Sequence, residues 1–196
     1  MQKFDVLIVG AGMVGLTLAL ALRKTSQLSV ALVDNNPVAD IDDELDVRVS
    51  AINIASKNIF ENLDVWSAIK ESRAQAYQNM HVWDKSGIGK VDFSADDNES
   101  ILSEDNLGWI IENKVIRYAL WQKAQADDGI SFFNDNKLAN IAVGESEVFA
   151  SFTHLDANSD ANTNNASPSM PILAKILVGA DGANSWVRQQ MDMEMF

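Results

Sequence analysis

The segment Gly10-Ala11-Gly12-Met13-Val14-Gly15 constrains the fold of this chain more than any other. It has the spacing G-x-G-x-x-G, follows an apolar run at 4–9 and opens a second apolar run at 13–22. Glycines inside a helix cost about 1 kcal/mol each relative to Ala, so three of them at this junction need another reason. The pattern predicts a buried strand, a tight turn and a helix. Gly10 permits the turn, Gly12 lets backbone approach a diphosphate without a Cβ in the way, and Gly15 with Ala19 lets the helix lie close to the sheet. The helix amino end then offers free N–H groups and a partial positive charge to an anion.

A further apolar run at 28–33 ends at Asp34 and is followed by Asn-Asn-Pro, which completes a βαβ unit. A carboxylate at that strand end can accept hydrogen bonds from both ribose hydroxyls of an adenosine; the alternative is a solvated turn residue. Strand, glycines, helix, second strand and acid in one register specify a site for an ADP moiety, centred on Gly10, Ala11, Gly12, Met13, Val14, Gly15 and Asp34, and do not separate NAD from FAD. Residues 6–22 carry no charge and could also be read as a secretory leader, with Ala19-Leu20-Ala21 as its cleavage site. The run is short for a membrane span and interrupted by glycine, which favours the nucleotide reading.

Composition narrows the chemistry. The chain has 196 residues, no Cys and a formal charge of −13 from 15 basic and 28 acidic side chains. A disulfide scaffold, a thiolate nucleophile and a Cys-ligated metal are excluded, and His81 and His154 stand alone, away from any metal-ligand spacing. A pI near 4.4 disfavours nucleic acid as a partner, because non-specific affinity comes from Lys and Arg displacing counterions.

The middle of the chain changes character. Residues 40–46 are acidic and irregular, and 50–63 have helical spacing with Ser50 as the N-cap. Strands at 77–83 and 90–93 form a hairpin across 85–89, 96–105 is a polar loop, and an apolar strand at 107–111 precedes a helix at 114–126 that Gly129 ends. Strands at 130–133, 138–143 and 148–153 suggest a small meander. Residues 156–169 are polar and low in complexity and predict a mobile hairpin tip. An apolar strand at 172–178, a turn at 179–182 and a helix at 184–191 follow.

Two later segments separate FAD from NAD: Asp46-Val47-Arg48-Val49-Ser50-Ala51-Ile52, and Gly179-Ala180-Asp181-Gly182-Ala183-Asn184-Ser185-Trp186-Val187-Arg188. With these the sequence resembles the flavin-dependent aromatic hydroxylases of the para-hydroxybenzoate hydroxylase class, and within it the ubiquinone-biosynthesis hydroxylases. The stretch from Leu107 to Arg117 is similar to the one those quinone hydroxylases carry before their long helix. The resemblance implies an α/β fold, a Rossmann-like FAD/NAD(P)-binding domain of the glutathione-reductase type, with a β-meander and part of an antiparallel substrate-side sheet. Residues 1–72 and 107–196 would form the nucleotide-binding lobe and 75–106 the start of a substrate-side lobe.

In that class the arginine matching Arg48 reaches FAD, and the segment matching Asp181 and Gly182 is tied to the FAD pyrophosphate and the reduced nicotinamide. From the residues alone, Arg48 could as well form a surface ion pair, and Asp181 could cap a helix, a role compatible with cofactor contact. Arg117 is either a ligand or a solvated helical residue. Asn113 and Glu112 compete for the polar contact that the class places near the flavin. Met80, Val82 and Trp83 would border the substrate pocket or pack in a core, the latter favoured for Trp83.

The implied function is an FAD-dependent monooxygenase that uses NAD(P)H and dioxygen to hydroxylate an aromatic ring, here a prenylated phenol or quinol precursor of ubiquinone. No side-chain nucleophile is needed, and no catalytic residue is assigned. The resemblance is compatible with a cytoplasmic protein associated peripherally with the inner membrane or with a biosynthetic complex. Departures are Asp34 where the class has Glu, and the lack of a later G-D segment, so the chain corresponds to the N-terminal half of such an enzyme and is expected to be inactive as a hydroxylase alone. The alternatives are a non-catalytic ADP- or FAD-binding fragment and an NAD-dependent dehydrogenase, the second weakened by the absence of a third βα repeat after Asp34, where irregular chain and antiparallel-looking strands follow instead.

Overall fold

The computed structural model describes residues 1–36, 38–96, 105–134, 136–154 and 171–193; the polar tract 156–169 lies outside them. The chain divides into two compact units, Met1–Asp40 with Leu120–Phe196, and Ile41–Ala119.

The first unit is built on β1 (Gln2–Val9), α1 (Met13–Thr25) and β2 (Val30–Asp34). Val6, Leu7, Ile8 and all of Val30, Ala31, Leu32 and Val33 are buried, as expected of strands covered on both faces. The apolar run 6–22 is thus divided between β1 and α1. The helix buries one face through Gly15, Leu16, Ala19 and Leu20, while Val14 is 73% exposed, so its apolar character all round does not mean burial all round. The remaining strands are β8 (Ile130–Asn134), β9 (Asn136–Val143), β10 (Val148–His154) and β11 (Ile172–Gly179), followed by α5 (Trp186–Gln190). Among the described residues they form one six-stranded sheet in the order β8-β2-β1-β11-β10-β9.

This order corrects two expectations. The meander consists of β9, β10 and β11, whereas β8 pairs in parallel with β2, with Ile130 opposite Val30 and Phe133 opposite Val33. A third parallel strand beside β2 is therefore present. The chain reaches it only after residues 41–119, through α4 (Asn113–Gln125), because parallel neighbours cannot be joined by a hairpin and need a crossover. Phe133 lies edge-on to Phe4 at 5.9 Å, and Phe132 lies against Trp121 of α4 at 4.5 Å, which fixes β8 at that edge. Leu7, Val9, Ala31 and Val33 share a core with Phe152, Ile172, Ala174 and Val187.

The second unit holds β3 (Val49–Asn53), α2 (Ile54–Asn62), α3 (Trp66–Arg73), β4 (Ala74–Tyr77), β5 (Asn79–Trp83), β6 (Lys90–Ser94) and β7 (Gly108–Glu112). The predicted helix from Ser50 is corrected: residues 49–53 are a strand antiparallel to β7, with Ile52 opposite Trp109. Pairing with a buried partner strand outweighs helical spacing there, and Asn53 becomes the N-cap of α2 by accepting from Ser56 N at 2.9 Å. Trp109 meets Trp66 edge-on at 5.0 Å.

The expected hairpin forms between β5 and β6. Alternation puts Met80, Val82, Val91 and Phe93 on one face and His81, Trp83, Lys90 and Asp92 on the other. Trp83 is 73% exposed, so the expectation that it packs in a core is corrected; it stands on the polar face, where His81 Nδ1 contacts Asp92 Oδ1.

Candidate functional site

In the first unit the glycine turn sits at the carboxyl ends of three parallel strands, where Val9 is opposite both Val33 and Gly179. Gly10 has φ +108°, a conformation that side chains rarely adopt, and its N–H donates to Val33 O at 2.7 Å. Ala180 N donates to Val9 O at 2.7 Å, so the turn after β11 is laced to the end of β1. A Cβ on Gly15 would lie 1.9 Å from Gly10 O and 3.3 Å from Ile8 Cγ2, which confirms that this glycine exists for close packing of α1. Gly12 differs from both. It is the N-cap of α1 at φ −77°, and a Cβ there would meet nothing within 4 Å. The protein does not need that glycine for its own packing, and the open space over it is what a diphosphate needs.

The amino end of α1 has no side-chain cap and no acid in its first turn, so its N–H groups remain available to an anion. Asp34 ends β2, where its Oδ2 accepts from Ala11 N at 2.6 Å and its Oδ1 from Asn36 N at 2.7 Å. Asp34 thus closes its own turn, as the turn-residue reading expects, and ties that turn to the glycine loop. Ala11 is fully buried, Met13 is half-buried and Val14 is exposed.

Asp181 caps α5. Its Oδ2 accepts from Trp186 N at 2.7 Å and Val187 N at 3.1 Å, and its Oδ1 accepts from Ser185 Oγ at 2.5 Å. Ser185 Oγ in turn accepts from Arg188 N at 3.0 Å. The carboxylate is thus committed to its own helix, and what this turn leaves exposed is Gly182, at φ +83° with open space around its Cβ position. Arg188 Nε is buried without an acceptor among the described residues. Gly10 to Gly15, Asp34 and Gly182 therefore sit on adjoining turns, a proximity that depends on the parallel pairing of β1 with β2 and β11.

Arg48, Asn113 and Arg117 are placed in the second unit. Arg48 is exposed, with its N–H on Asp46 Oδ1 at 3.0 Å and its carbonyl accepting from Asn113 N at 2.9 Å. Its guanidinium forms no ion pair among the described residues, against the surface-pair alternative. Asn113 Oδ1 accepts from Ser50 Oγ at 2.6 Å. Arg117 is half-buried on α4. Glu112 is 6% exposed and occupied by protein groups, pairing with Arg73 Nε at 3.2 Å and accepting from Asp46 N at 2.8 Å. Of the two competing positions, Asn113 is thus the freer to meet a ligand. Sequence reading missed Arg73, whose place at the end of an amphipathic helix carries no signal of a buried partner. A groove of about 590 Å³ along α2 and α3, lined by Lys57, Trp66, Lys70 and Trp109 among others, contains none of the expected site residues.

The glycine turn, the acid that ends β2 and the open Gly12 leave room for a diphosphate, and comparison with known proteins identifies the family. A model of the FAD binding domain family matches residues 3–196. The 3-demethoxyubiquinol 3-hydroxylase of Escherichia coli K12 is 32% identical over 189 residues, covering 96% of this chain and 44% of that protein. The mitochondrial ubiquinone biosynthesis monooxygenase COQ6 of Dictyostelium discoideum is 26% identical, covering 97% of this chain and 39% of that protein. The chain thus spans about two fifths of the length of these relatives. Among solved structures, the flavin-dependent monooxygenase PieE in complex with FAD and substrate superposes with a TM-score of 0.72 at 19% identity, over 97% of this chain and 32% of that one. The p-nitrophenol 4-monooxygenase PnpA of Pseudomonas putida DLL-E4 superposes with a TM-score of 0.72 at 16% identity, over 97% and 44%. Both likenesses speak for the fold, and the family match over nearly the whole chain goes further: this chain belongs to the FAD binding domain family.

Proposed function

We propose that this chain is the FAD-binding part of a monooxygenase that hydroxylates a prenylated phenol or quinol in ubiquinone biosynthesis, with NAD(P)H as reductant and dioxygen as co-substrate. The observation that carries the reading is the contrast between the glycines: Gly10 and Gly15 are required by backbone packing, whereas Gly12 faces open space at an uncapped helix end. That cradle suits a diphosphate, so the ADP half of FAD is held by Gly10, Ala11, Gly12, Met13, Val14 and Gly15, with Asp34, tied to the glycine turn through Ala11 N, as the acceptor for the ribose hydroxyls.

Gly182 offers backbone to the pyrophosphate, and Asp181 holds that turn by capping α5. Arg48, Asn113 and Arg117 are further proposed FAD contacts, as the family resemblance implies, the planar guanidinium of Arg48 suiting phosphate oxygens. Bound FAD, once reduced, supplies the oxygen-activating chemistry; the chain's own part is to hold, orient and shield it. The apolar face of Met80, Val82, Val91 and Phe93 borders the ring-side substrate. On the same reading the enzyme works at a membrane surface, where a prenylated quinol resides; no helix among the described residues is long and apolar enough to cross a membrane.

The test is a titration of the purified chain with FAD and, separately, NADH, followed by flavin fluorescence and calorimetry. Binding of FAD in preference to NADH supports the reading. A colourless protein that binds NADH and ignores FAD would sink it in favour of a dehydrogenase.

A further inference from the structure

In the second unit a polar network converges on one buried carboxylate. Glu112 ends β7, opposite Val49 at the start of β3. One oxygen pairs with Arg73 Nε at 3.2 Å; the other accepts from Asp46 N at 2.8 Å and lies 3.8 Å from Lys114 Nζ. The two cations then reach beyond it to the acidic loop. Arg73 Nη2 donates to Asp42 O at 2.8 Å and Nη1 to Glu44 O at 3.4 Å. Lys114 Nζ donates to Asp42 Oδ1 at 2.6 Å and to Glu44 O at 2.5 Å. Asp42, Glu44 and Asp46 are thus fastened to the ends of α3 and β7 and the start of α4.

The outcome of this network is the placement of Arg48. Its N–H is held by Asp46, whose own N–H is held by Glu112, and its carbonyl is held by Asn113 N. The main chain of Arg48 is pinned on both sides while its guanidinium stays exposed and unpaired among the described residues. A loop rich in like charge would otherwise repel itself and move, and ordering an arginine at the moment of binding costs affinity. Burying a carboxylate is costly unless several donors meet it, and here they do.

We propose that Glu112, with Arg73 and Lys114, is a positioning residue that clasps the loop from Asp42 to Asp46 and so presents Arg48, pre-ordered, to the flavin nucleotide. The inference rests on the reading of Arg48 as an FAD contact. It assigns the acidic stretch a purpose: the Asp42 carboxylate and the carbonyls of Asp42 and Glu44 are the anchor points that two half-buried cations grip.

The experiment has two arms on the full chain. Amide hydrogen exchange is measured for Glu112→Gln, which keeps the acceptor for Asp46 N and loses the charge, and for Lys114→Met, which spares the buried acid should Glu112→Gln fail to fold. Exchange at Asp46 and Arg48 should accelerate about tenfold or more while β1 and β2 stay protected; unchanged exchange in both variants overturns the clasp. In the second arm FAD affinity is measured for Arg48→Ala, for each clasp variant, and for the combinations. Each single change should weaken FAD about tenfold, and the combinations no more than Arg48→Ala alone. Losses that multiply would show the clasp to be merely structural and overturn its positioning role. If Arg48→Ala leaves FAD affinity unchanged, the FAD reading of Arg48 fails, and with it the positioning role, whereas loss of loop protection would still stand as its own result.

Discussion

Gly10 and Ala180, far apart in the chain, touch so closely that a Cβ on Gly10 would lie 2.4 Å from the carbonyl oxygen of Ala180 and 2.9 Å from Asp181 N. The first glycine of the fingerprint is therefore needed twice, for its φ of +108° and for the approach of the turn after β11. That approach is how Gly182 comes to share a surface with the nucleotide loop.

Gly10→Ala should destabilise the chain by about 3 kcal/mol or more, because the positive φ and a backbone collision add. Urea unfolding checks this. A loss below about 1 kcal/mol would mean the β11 turn moves aside freely.

Gly12→Val should behave oppositely. Its φ of −77° suits any residue and its Cβ space is open, so the fold should lose only about 1 kcal/mol, the order of a poor N-cap. FAD affinity should fall roughly a hundredfold, since the valine side chain fills the diphosphate's place. Equal FAD binding by variant and parent, in a fluorescence titration, would remove Gly12 from the site.

Asp181→Ala should cost about 1–2 kcal/mol of stability by leaving Trp186 N and Val187 N at the start of α5 without their acceptor, and Asp181→Asn less, because the amide oxygen can still accept from them. Denaturation midpoints of the two variants, compared with the parent, decide it. Identical stability in all three would contradict the capping role.

Asp5 yields a pH prediction. The hydrogen bond from Lys175 Nζ at 2.7 Å, with those from Ser29 N and Oγ, lowers its pKa from 3.8 to about 2. A carboxylate depressed by folding stabilises the native state fully above its unfolded pKa, and that contribution is lost as pH falls through the folded value. Asp5→Asn should therefore be less stable than the parent at neutral pH, and the gap should close between pH 3.8 and about 2. Urea midpoints measured across that range test it; a gap that persists undiminished at the acid end would rule the mechanism out.

The sequence by itself determined the local grammar of the nucleotide site. Apolar runs ending at Val9 and Val33, glycines at 10, 12 and 15 and an acid at 34 can satisfy their packing and backbone constraints in essentially one way, and β1, α1 and β2 follow. The hairpin of β5 and β6 was legible for the same reason, since alternation and turn residues are local signals. What only the tertiary structure decided is everything that depends on a distant partner. Residues 49–53 are a strand because β7 lies beside them, and β8 sits next to β2 because α4 carries it across, outcomes that no periodicity encodes. Asp181 turned out to be committed to α5, and Glu112 to Arg73 and Asp46, because hydrogen-bond donors compete for a carboxylate through space. Gly10 and Gly12 look alike as letters; only the fold separates the glycine that its neighbours require from the one that leaves room for a ligand.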